Sequence, residues 1–324
     1  MKVDAHRAAL GASESLANAI FHPLADLLRA RVLDPPARPG LLACLDQYDI
    51  IRLIGVGAMG LVFLSHDPAS GQRVAIKVLR PELATIPGIA NRFLREARHM
   101  MRLSHRGILG VMTVSERCES PYIVLPYMPG GSLAELMQNG QPLERGLVLQ
   151  ISRELAEVLA YAHREGVIHR DVKPGNVLLA EDGSIRLGDF GLGRALVSNA
   201  AREMTSTTVE GTPQYMSPEV ASGLPADARS DIYGLGAVMY ELLTGRPPYD
   251  GPSPADILAK VRGTDPVPIR RVSPAADVHL SQIAAWAMGR QLANRYRTVA
   301  DLLGDLHLAA ENKPPRGPHG SDCP

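Results

Sequence analysis

The sequence predicts an α+β fold in two lobes, a small one built on an antiparallel sheet and a larger, mostly helical one. Strand-like runs separated by glycine- and proline-bearing turns come first, at Tyr48–Leu53, Leu61–Ser65, Arg73–Leu79, Gly110–Val114 and Tyr122–Leu125. One main helical pattern, Ile89–Leu103, interrupts them. Beyond Gly131 the periodicity becomes helical, over Leu143–Arg164, Asp231–Leu243, Pro254–Val261, Ala276–Met288 and Val299–Ala310. This order predicts two lobes with a cleft between them.

Composition indicates an ordinary globular protein of 324 residues, 45% of them hydrophobic and 21% charged. Lysine plus arginine equal aspartate plus glutamate at 34 each, so bulk charge gives no case for binding nucleic acid or a membrane surface. Three widely spaced cysteines, Cys44, Cys118 and Cys323, favour a reducing compartment. The most apolar early stretch, 16–33, is broken by a proline and charges. We therefore expect a cytoplasmic protein without a membrane span.

Three regions are expected along the chain. Residues 1–46 form a partly helical extension with a proline-rich linker, which either packs loosely or supplies a docking or regulatory helix. Residues 47–311 form the main domain, divided into a small lobe over 47–128 and a large lobe over 129–311. The polar and proline-rich residues 312–324 are expected to form a disordered tail.

A glycine run lies between the first two strand-like stretches. Glycine allows the backbone to approach a phosphate closely and to adopt dihedral angles closed to other residues. Dinucleotide folds use the same spacing, but there the glycines open a helix, whereas strands flank them here. We interpret the run as a hairpin folded over a nucleotide. Its expected ligand-binding residues are Ile54, Gly55, Val56, Gly57, Ala58, Met59, Gly60 and Val62.

Lys77 ends the next strand-like run, Val74-Ala75-Ile76-Lys77. A lysine there could be a solvated charge at a sheet edge. Just after the glycine run, however, its ammonium group is well positioned as a point charge for nucleotide α- and β-phosphates. Such a lysine needs a carboxylate to hold it. Glu82 is too near in sequence, so Glu96, in the helical pattern, is the expected partner.

The segment His169-Arg170-Asp171-Val172-Lys173-Pro174-Gly175-Asn176 carries the strongest chemical signal. An apolar strand, a turn and a second strand follow it and lead to Asp189-Phe190-Gly191. Phosphoryl transfer requires a carboxylate that accepts the proton of the substrate hydroxyl, and oxygen ligands that hold magnesium against the phosphates. This ordered set of residues supplies both.

These motifs resemble those of the protein kinase family, specifically the bacterial serine/threonine kinases that look like eukaryotic ones, over residues 48–311. The resemblance implies the two-lobed protein kinase fold, ATP with Mg²⁺ or Mn²⁺ as cofactors, and proteins as substrates. It makes Asp171 the catalytic base, lets Lys173 steady the transferring phosphoryl group, and assigns the metal to Asn176 and Asp189. Lys173 also implies serine or threonine, rather than tyrosine, as the acceptor.

Motifs further along the chain extend the resemblance. Gly211–Glu219 looks like the substrate-docking loop of the family, in which Thr212 would reach serine and threonine acceptors. Asp231 resembles the aspartate that anchors the catalytic loop from below. Glu219 is expected to pair with Arg295, far downstream. By the same resemblance Glu219, Asp231 and Arg295 are structural rather than catalytic.

The resemblance places the adenine slot at the hinge over Tyr122–Met128. Leu125 would be the gatekeeper, and the carbonyl group of Pro126 and the amide of Met128 would meet the adenine edge. Val62, Ala75 and Leu178 would sandwich the ring; without a ligand, the same residues read as plain core positions. Pro126 departs from the acidic residue often found there, and because proline lacks an N–H the hinge is expected to be stiffer.

A hydroxyl-rich stretch, 198–209, precedes the docking loop. It is either a flexible loop or the site of autophosphorylation, with Thr205, Ser206, Thr207 and Thr208 as candidate phosphosites. Arg170 could pair with a phosphate there and order the loop. Autophosphorylation in trans would involve a transient homodimer.

Two other functions are compatible with a kinase-like sequence. A non-catalytic nucleotide-binding scaffold usually lacks the lysine, the base or a metal ligand, and here Lys77, Asp171, Asn176 and Asp189 are all present. A small-molecule phosphotransferase would keep the base and the metal ligands, but it has no reason to keep a peptide platform at Gly211–Glu219.

Overall fold

The structure is a computed structural model that describes residues 27–30, 32–57, 59–116, 120–190 and 213–318. The chain divides into two compact units, Met1–Arg102 with Gly110–Tyr127 and Leu103–Leu109 with Met128–Pro324. The first unit is built on strands and the second is mostly helical, which confirms the predicted fold class. No helix within the described ranges is both long and apolar enough to cross a membrane.

The first unit contains a six-stranded antiparallel sheet in the order β1-β2-β3-β4-β6-β5. Its strands are β1 (Ala43–Leu45), β2 (Tyr48–Val56), β3 (Gly60–Asp67), β4 (Gln72–Leu79), β5 (Thr113–Ser115) and β6 (Tyr122–Pro126). Two helices join β4 to β5: α1 (Pro81–Ala84) and α2 (Ile89–Met100). The buried face of α2 carries Phe93, Leu94, Ala97 and Met100, the helical spacing that predicted it.

The β3–β4 hairpin is the most regular part of the sheet, with paired residues from Gly60 and Leu79 to Asp67 and Gln72. Gly60 must be glycine, because a Cβ atom there would lie 2.3 Å from the carbonyl oxygen of Val78. β2 continues to Val56, beyond its predicted end at Leu53. Register shifts along β2 against β3 accompany this extension into the glycine run.

Residues before the predicted domain boundary pack into the first unit. The expectation of a loosely packed extension is wrong for the described part: Leu27, Val32 and Leu33 are at most 2% exposed and belong to the same core as Phe63 and Ile76. A pair of backbone hydrogen bonds between Asp34 and Cys44, 2.9 Å each, closes the exposed proline-bearing loop. The physical reason is that these apolar side chains cover one face of the sheet.

The second unit consists mainly of helices. They are α3 (Leu133–Leu136), α4 (Arg145–Arg164), α5 (Pro218–Ala221), α6 (Ala228–Thr244), α7 (Pro254–Gly263), α8 (Ile269–Val272), α9 (Val278–Ala287) and α10 (Val299–Ala310). Helix α6 is buried along nearly its whole length, and α4 and α9 pack against it. It begins at Ala228 rather than at the predicted Asp231, because Asp227 and Ser230 form a capping box.

A two-stranded hairpin of β7 (Val177–Leu179) and β8 (Ile185–Leu187) follows residues 169–176, the predicted catalytic segment, in the second unit. The described part of this unit also contains three short 3₁₀ helices, at Pro174–Asn176, Pro213–Tyr215 and Leu292–Asn294.

Residues 312–318 differ from the predicted disordered tail. The backbone N–H groups of Arg316 and Gly317 each donate to the carboxylate of Asp305, at 2.8 Å. Asp305 is 3% exposed and also accepts from the hydroxyl of Tyr296 at 2.7 Å. Because a buried carboxylate needs donors, it holds this part of the tail against α10.

Candidate active site

The catalytic segment brings three predicted residues together within the second unit. The Nζ atom of Lys173 lies 2.6 Å from Oδ2 of Asp171. The side-chain amide of Asn176 donates to the backbone oxygen of Asp171 at 2.7 Å and to Oδ2 at 3.1 Å. Asn176 is positioned by the 3₁₀ turn Pro174–Asn176, which follows directly on Lys173. Lys173 and Asn176, both close to Asp171 in the sequence, thereby hold its carboxylate in place.

Asp231 fixes the backbone on which Asp171 is carried. Its Oδ2 atom accepts from the backbone N–H of His169 at 2.8 Å, and its Oδ1 atom accepts from that of Arg170 at 2.7 Å. The Nε2 atom of His163, on α4, lies 2.7 Å from Oδ2. Arg170 has φ = 69°, a left-handed backbone conformation that is costly for a residue other than glycine. The fully buried Asp231 therefore holds a strained turn just before the base.

His169 connects the catalytic segment to the segment that carries Asp189. Its ring is fully buried, accepts at Nδ1 from the N–H of Asp171 at 3.2 Å, and lies 2.8 Å at Nε2 from the backbone oxygen of Gly188. The network assigns the proton to Nε2, because a carbonyl oxygen can only accept. The ring also packs on Phe190, with centroids 4.4 Å apart. One side chain thus fixes both segments.

Asn176 and Asp189 are brought to the same end of the β7–β8 hairpin. The N–H of Gly188 donates to the backbone oxygen of Asn176 at 2.8 Å, so Asp189 follows immediately beside Asn176. Asp189 has φ = 55°, another left-handed conformation at a residue other than glycine. Because the Asn176 amide nitrogen is committed to Asp171, its Oδ1 oxygen is the atom suited to a cation.

The oxygen atoms of Asn176 and Asp189 suit a hard cation that also binds the phosphates of a substrate. One carboxylate and one carboxamide oxygen suit Mg²⁺, which usually binds one or two carboxylates and completes its shell with water and substrate phosphates. Within the described ranges, no group of three or more His, Cys, Asp or Glu side chains could hold a metal ion.

The chain was compared with known proteins. The model for the protein kinase domain matches residues 48–287, which is most of the chain. This match includes most of both described units and every predicted site residue up to Asp231.

The chain belongs to the protein kinase family.

The two curated relatives and the solved structure described next are bacterial proteins. It is 35% identical over 277 residues to the serine/threonine-protein kinase PknB of Mycobacterium leprae, covering 84% of this chain and 44% of that protein. It is 39% identical to the probable serine/threonine-protein kinase PknB of Corynebacterium glutamicum, covering 82% and 43%. The crystal structure of the Mycobacterium tuberculosis PknI kinase domain is 28% identical, with a TM-score of 0.64 over 84% of this chain and 99% of that one. The chain spans less than half the length of the two curated relatives.

In the first unit of this kinase, Lys77 is partly buried on β4, opposite Val62 on β3 and Ile123 on β6. Glu96 lies on α2, between the buried Phe93 and Ala97, as its helical spacing predicted. Ala75 is also on β4, two residues before Lys77, and pairs with Leu64. Strand alternation puts Ala75 and Lys77 on one face of the sheet, as the nucleotide-binding prediction requires.

The hinge residues fall at the division between the units. β6 ends at Pro126, which pairs with Val74, and the first unit ends at Tyr127. Met128 opens the second unit, where its carbonyl oxygen accepts from Gly131 N–H at 3.3 Å. Leu178 lies on β7 of the second unit and is partly buried.

A buried ion pair joins Glu219, at the end of the predicted docking loop, to Arg295. The guanidinium of Arg295 donates to both oxygens of Glu219, at 2.9 and 3.1 Å, and its side chain is fully buried. Burial raises the pKa of Glu219, but the hydrogen bonds and charge of Arg295 outweigh it and hold that pKa below its usual value. The pairing predicted across 76 residues is present in the structure.

A small pocket adjoins Asp171 within the second unit. Asp171 lines it on one side, and Tyr215, Met216 and Val220 line it on another. The hydroxyl of Tyr215 donates to the carboxylate of Glu241 on α6. Burial raises the pKa of Tyr215 well above its usual range, and the Glu241 charge and hydrogen bond raise it further, so the phenol stays a donor.

Several predicted positions lie outside the described residues. They are Ala58 of the glycine run, Gly191, Thr212 of the docking loop, and the candidate phosphosites Thr205, Ser206, Thr207 and Thr208.

Sequence reasoning missed three polar residues that position the site: His163 beneath Asp231, Glu241 behind Tyr215, and Arg80 beside the glycine run. No local signal marks the first two, because their partners are distant in sequence and meet them only through tertiary packing.

Proposed function

We propose that this kinase domain transfers the γ-phosphoryl group of ATP to serine and threonine hydroxyls of proteins, with Mg²⁺ as the metal. The observation that carries the proposal is the side-chain cluster of Asp171, Lys173 and Asn176, with Lys173 Nζ at 2.6 Å from the Asp171 carboxylate. The names of the relatives support the same activity.

Asp171 would orient the acceptor hydroxyl and take its proton as the new P–O bond forms. Its carboxylate is preorganised, because Asn176 and Lys173 restrict its rotation before the substrate binds. Lys173 would then place its positive charge where the transferring phosphoryl group develops negative charge. Lys173 also supports serine and threonine as the acceptors, as the family resemblance implies.

Asn176 and Asp189 would hold the metal through Oδ1 of the amide and the carboxylate. When bound, Mg²⁺ supplies neutralisation of phosphate charge. Lys77, held by Glu96, would bind the α- and β-phosphates. The residues at the glycine run, together with Ala75, the Pro126 carbonyl, the Met128 amide and Leu178, would complete nucleotide binding. Thr212 would contact the acceptor residue.

The activity is tested with ATP, Mg²⁺ and a generic basic protein, comparing the wild type with Asp171→Asn. We expect phosphate on serine and threonine only with the wild-type protein. Absence of transfer by both proteins would favour a nucleotide-binding scaffold, and transfer to small metabolites alone would favour a small-molecule phosphotransferase. Replacing Mg²⁺ by Mn²⁺ in the same assay identifies the preferred metal.

We also propose autophosphorylation at one or more of Thr205, Ser206, Thr207 and Thr208, in trans through a transient homodimer. The hydroxyl-rich sequence supports this, as does Arg170, which directly precedes the base. Mass spectrometry after incubation with ATP and Mg²⁺ tests it. An active protein without phosphate on residues 198–212 contradicts the proposal. Transfer from the wild type to an Asp171→Asn protein would establish the reaction in trans.

Because the proposed reaction consumes ATP, we propose the cytoplasm as the compartment in which this domain acts. Immunodetection of the full-length protein after cell fractionation tests this, with exposure of the domain to external protease as the contradicting result.

A further inference from the structure

Arg80 fastens the glycine run to the sheet of the first unit. It directly follows β4, and its Nε and Nη2 atoms both donate to the carbonyl oxygen of Gly57, at 3.2 and 3.1 Å. Its backbone N–H donates to the carbonyl oxygen of Met59 at 2.9 Å. The N–H of Gly57 in turn donates to the oxygen of Gly60 at 2.9 Å. One residue thus reaches two carbonyl groups of the glycine run.

The arginine itself is held in place. Its Nη1 atom lies 3.4 Å from Oε1 of Glu82, in the first turn of α1, and its side chain is 26% exposed. Glu82 is 61% exposed, so this ion pair contributes little to the free energy of folding, but it restricts the orientation of the Arg80 guanidinium. Glu82, which was too close in sequence to hold Lys77, instead contacts Arg80.

A glycine-rich turn has much conformational freedom to lose when it closes over a ligand. Fixing the Gly57 carbonyl group fixes the plane of its peptide unit, because that unit is rigid. A carbonyl oxygen turned toward a phosphate would repel it, whereas backbone N–H groups attract it. Only arginine among the side chains offers two N–H groups in a planar fork for this purpose.

We propose that Arg80 is a positioning residue for the triphosphate: it preorganises the glycine run by holding the Gly57 carbonyl group, without contacting the nucleotide. This inference rests on the proposed function for the identity of the ligand, ATP. Its energetic effect depends on the phosphates, so it differs from a general contribution to the stability of the hairpin.

The test compares the full chain with Arg80→Ala, Arg80→Lys and Arg80→Gln, and measures dissociation constants for Mg²⁺–ATP and for adenosine by calorimetry. Arg73→Ala, at the exposed far end of β4, is the matched control. We expect Arg80→Ala to weaken ATP binding about tenfold, the size of one or two lost hydrogen bonds, and to leave adenosine binding unchanged. Arg73→Ala should change neither constant.

Arg80→Lys keeps the charge but loses the fork, so it should resemble Arg80→Ala. Wild-type ATP affinity in Arg80→Lys would overturn the assignment, because charge alone would then explain the effect. Equal weakening of ATP and adenosine binding would also overturn it and leave a purely structural contribution. If Arg80→Ala fails to fold, Arg80→Gln, which retains one donor group, replaces it. The same comparison applies: ATP binding should weaken and adenosine binding should not.

Binding is measured without turnover, which separates this inference from the proposed function. A wild type that binds ATP but phosphorylates no protein would refute the proposed function, and the Arg80 comparison would still stand or fall on its own. In steady-state assays the expected signature is a raised KM for ATP with little change in kcat.

Discussion

Asp231 supports the catalytic turn through three hydrogen bonds, two of them from backbone N–H groups. A carboxylate is suited to this task because both oxygens only accept. The strained φ of Arg170 persists because this carboxylate and the buried His169 hold the chain on either side of it. The geometry at Asp171, the proposed catalytic base, therefore depends on a residue 60 positions away in the sequence.

Asp231→Asn is expected to lower the free energy of unfolding by at least about 3 kcal/mol, because one oxygen becomes an NH₂ group facing a backbone donor. The kcat should fall as well, since the turn before Asp171 loses its support. Urea denaturation and steady-state kinetics measure both. Asp250→Asn, on an exposed side chain, is the control and should stay within about 0.5 kcal/mol. A catalytically normal Asp231→Asn protein would contradict this account.

Gly234 allows α6 to approach the catalytic loop. A Cβ atom there would lie 2.9 Å from the Cβ atom of Val172, the residue after the base. Gly234→Ala should therefore lower both thermal stability and kcat. The control is Gly304→Ala on α10, where a Cβ atom meets nothing within 4 Å and helix propensity should raise stability by about 1 kcal/mol. Destabilisation by both substitutions would contradict the assignment of the Gly234→Ala effect to a steric clash with Val172.

At this scale, the family resemblance implied the residues of the proposed catalytic cluster, and their close spacing explains why they meet. Asp171, Lys173 and Asn176 lie within six residues, so one turn of 3₁₀ helix brings them together. His163 could not be found in the same way, because a histidine in the last turn of an amphipathic helix usually reads as a favourable helix-dipole residue. Its contact with Asp231, 68 residues on, is created by the packing of α4 on α6.

Among the elements, the segment over residues 27–45 changes the description of the first unit most. It adds strand β1 and places five apolar side chains in the core, although the matched family model begins at residue 48. We propose that the folded domain begins before residue 47, and that this segment is part of it. Its removal would expose an apolar sheet face to water.

Leu33→Ala is expected to lower the free energy of unfolding by about 2–5 kcal/mol, as large-to-small changes in a core do. Leu33 is 2% exposed, whereas Leu28, in the same segment, is 38% exposed. The matched Leu28→Ala should cost less than about 0.5 kcal/mol. Thermal and urea unfolding of the full chain measure the difference. Equal, small effects would mean that the segment detaches in solution.

Most helix and strand positions were predictable from periodicity, and α10 was predicted with the observed limits. The strand predicted at Gly110–Val114 is instead β5, at Thr113–Ser115. The errors lie where local pattern carries little information. A three-residue strand such as β1 shows no alternation, and it forms because β2 offers it an edge. The starts of α6 and α9 were shifted by the capping residues Asp227 and Asp277, whose side chains accept from the first helical turn.

In the molecule as a whole, stability depends on polar contacts that link distant parts of the second unit. Arg145 on α4 donates to Asp277 at 2.8 Å, and to the backbone oxygen of Ala309 at 2.6 Å. Asp305 ties residues 316 and 317 to α10 in the same way. The polar composition of the tail predicted disorder. Composition cannot show that the buried carboxylate of Asp305 accepts hydrogen bonds from the tail backbone.

The Glu219–Arg295 pair predicts how stability varies with pH. Because the folded-state pKa of Glu219 lies below its usual 4.5, the pair stabilises fully above pH 4.5, and this contribution is lost as the pH falls through the lower folded-state value. Glu219→Gln should cost about 3–5 kcal/mol near pH 7, since it leaves Arg295 buried without its counter-charge. The difference from the wild type should shrink below pH 4.5.

Urea unfolding at a series of pH values measures this difference, with the exposed Glu181→Gln as the control. A gap between wild type and Glu219→Gln that stays constant down to pH 3 would contradict the assigned pKa direction. A difference that grows on acidification would mean that the pKa of Glu219 is raised rather than lowered in the folded protein.

Residues 103–109 follow α2 in sequence but belong to the second unit, where Leu109 N–H donates to Leu187 O at 3.0 Å and Gly107 lies against Val158. The polypeptide therefore passes between the units three times, after residues 102, 109 and 127. In a fragment-complementation experiment, residues 128–324 expressed alone would keep β7 but lack residues 103–109, the second backbone partner of β8, and should be insoluble. Co-expression with residues 1–127 should restore solubility, and the two genetic halves would not match the two folding units.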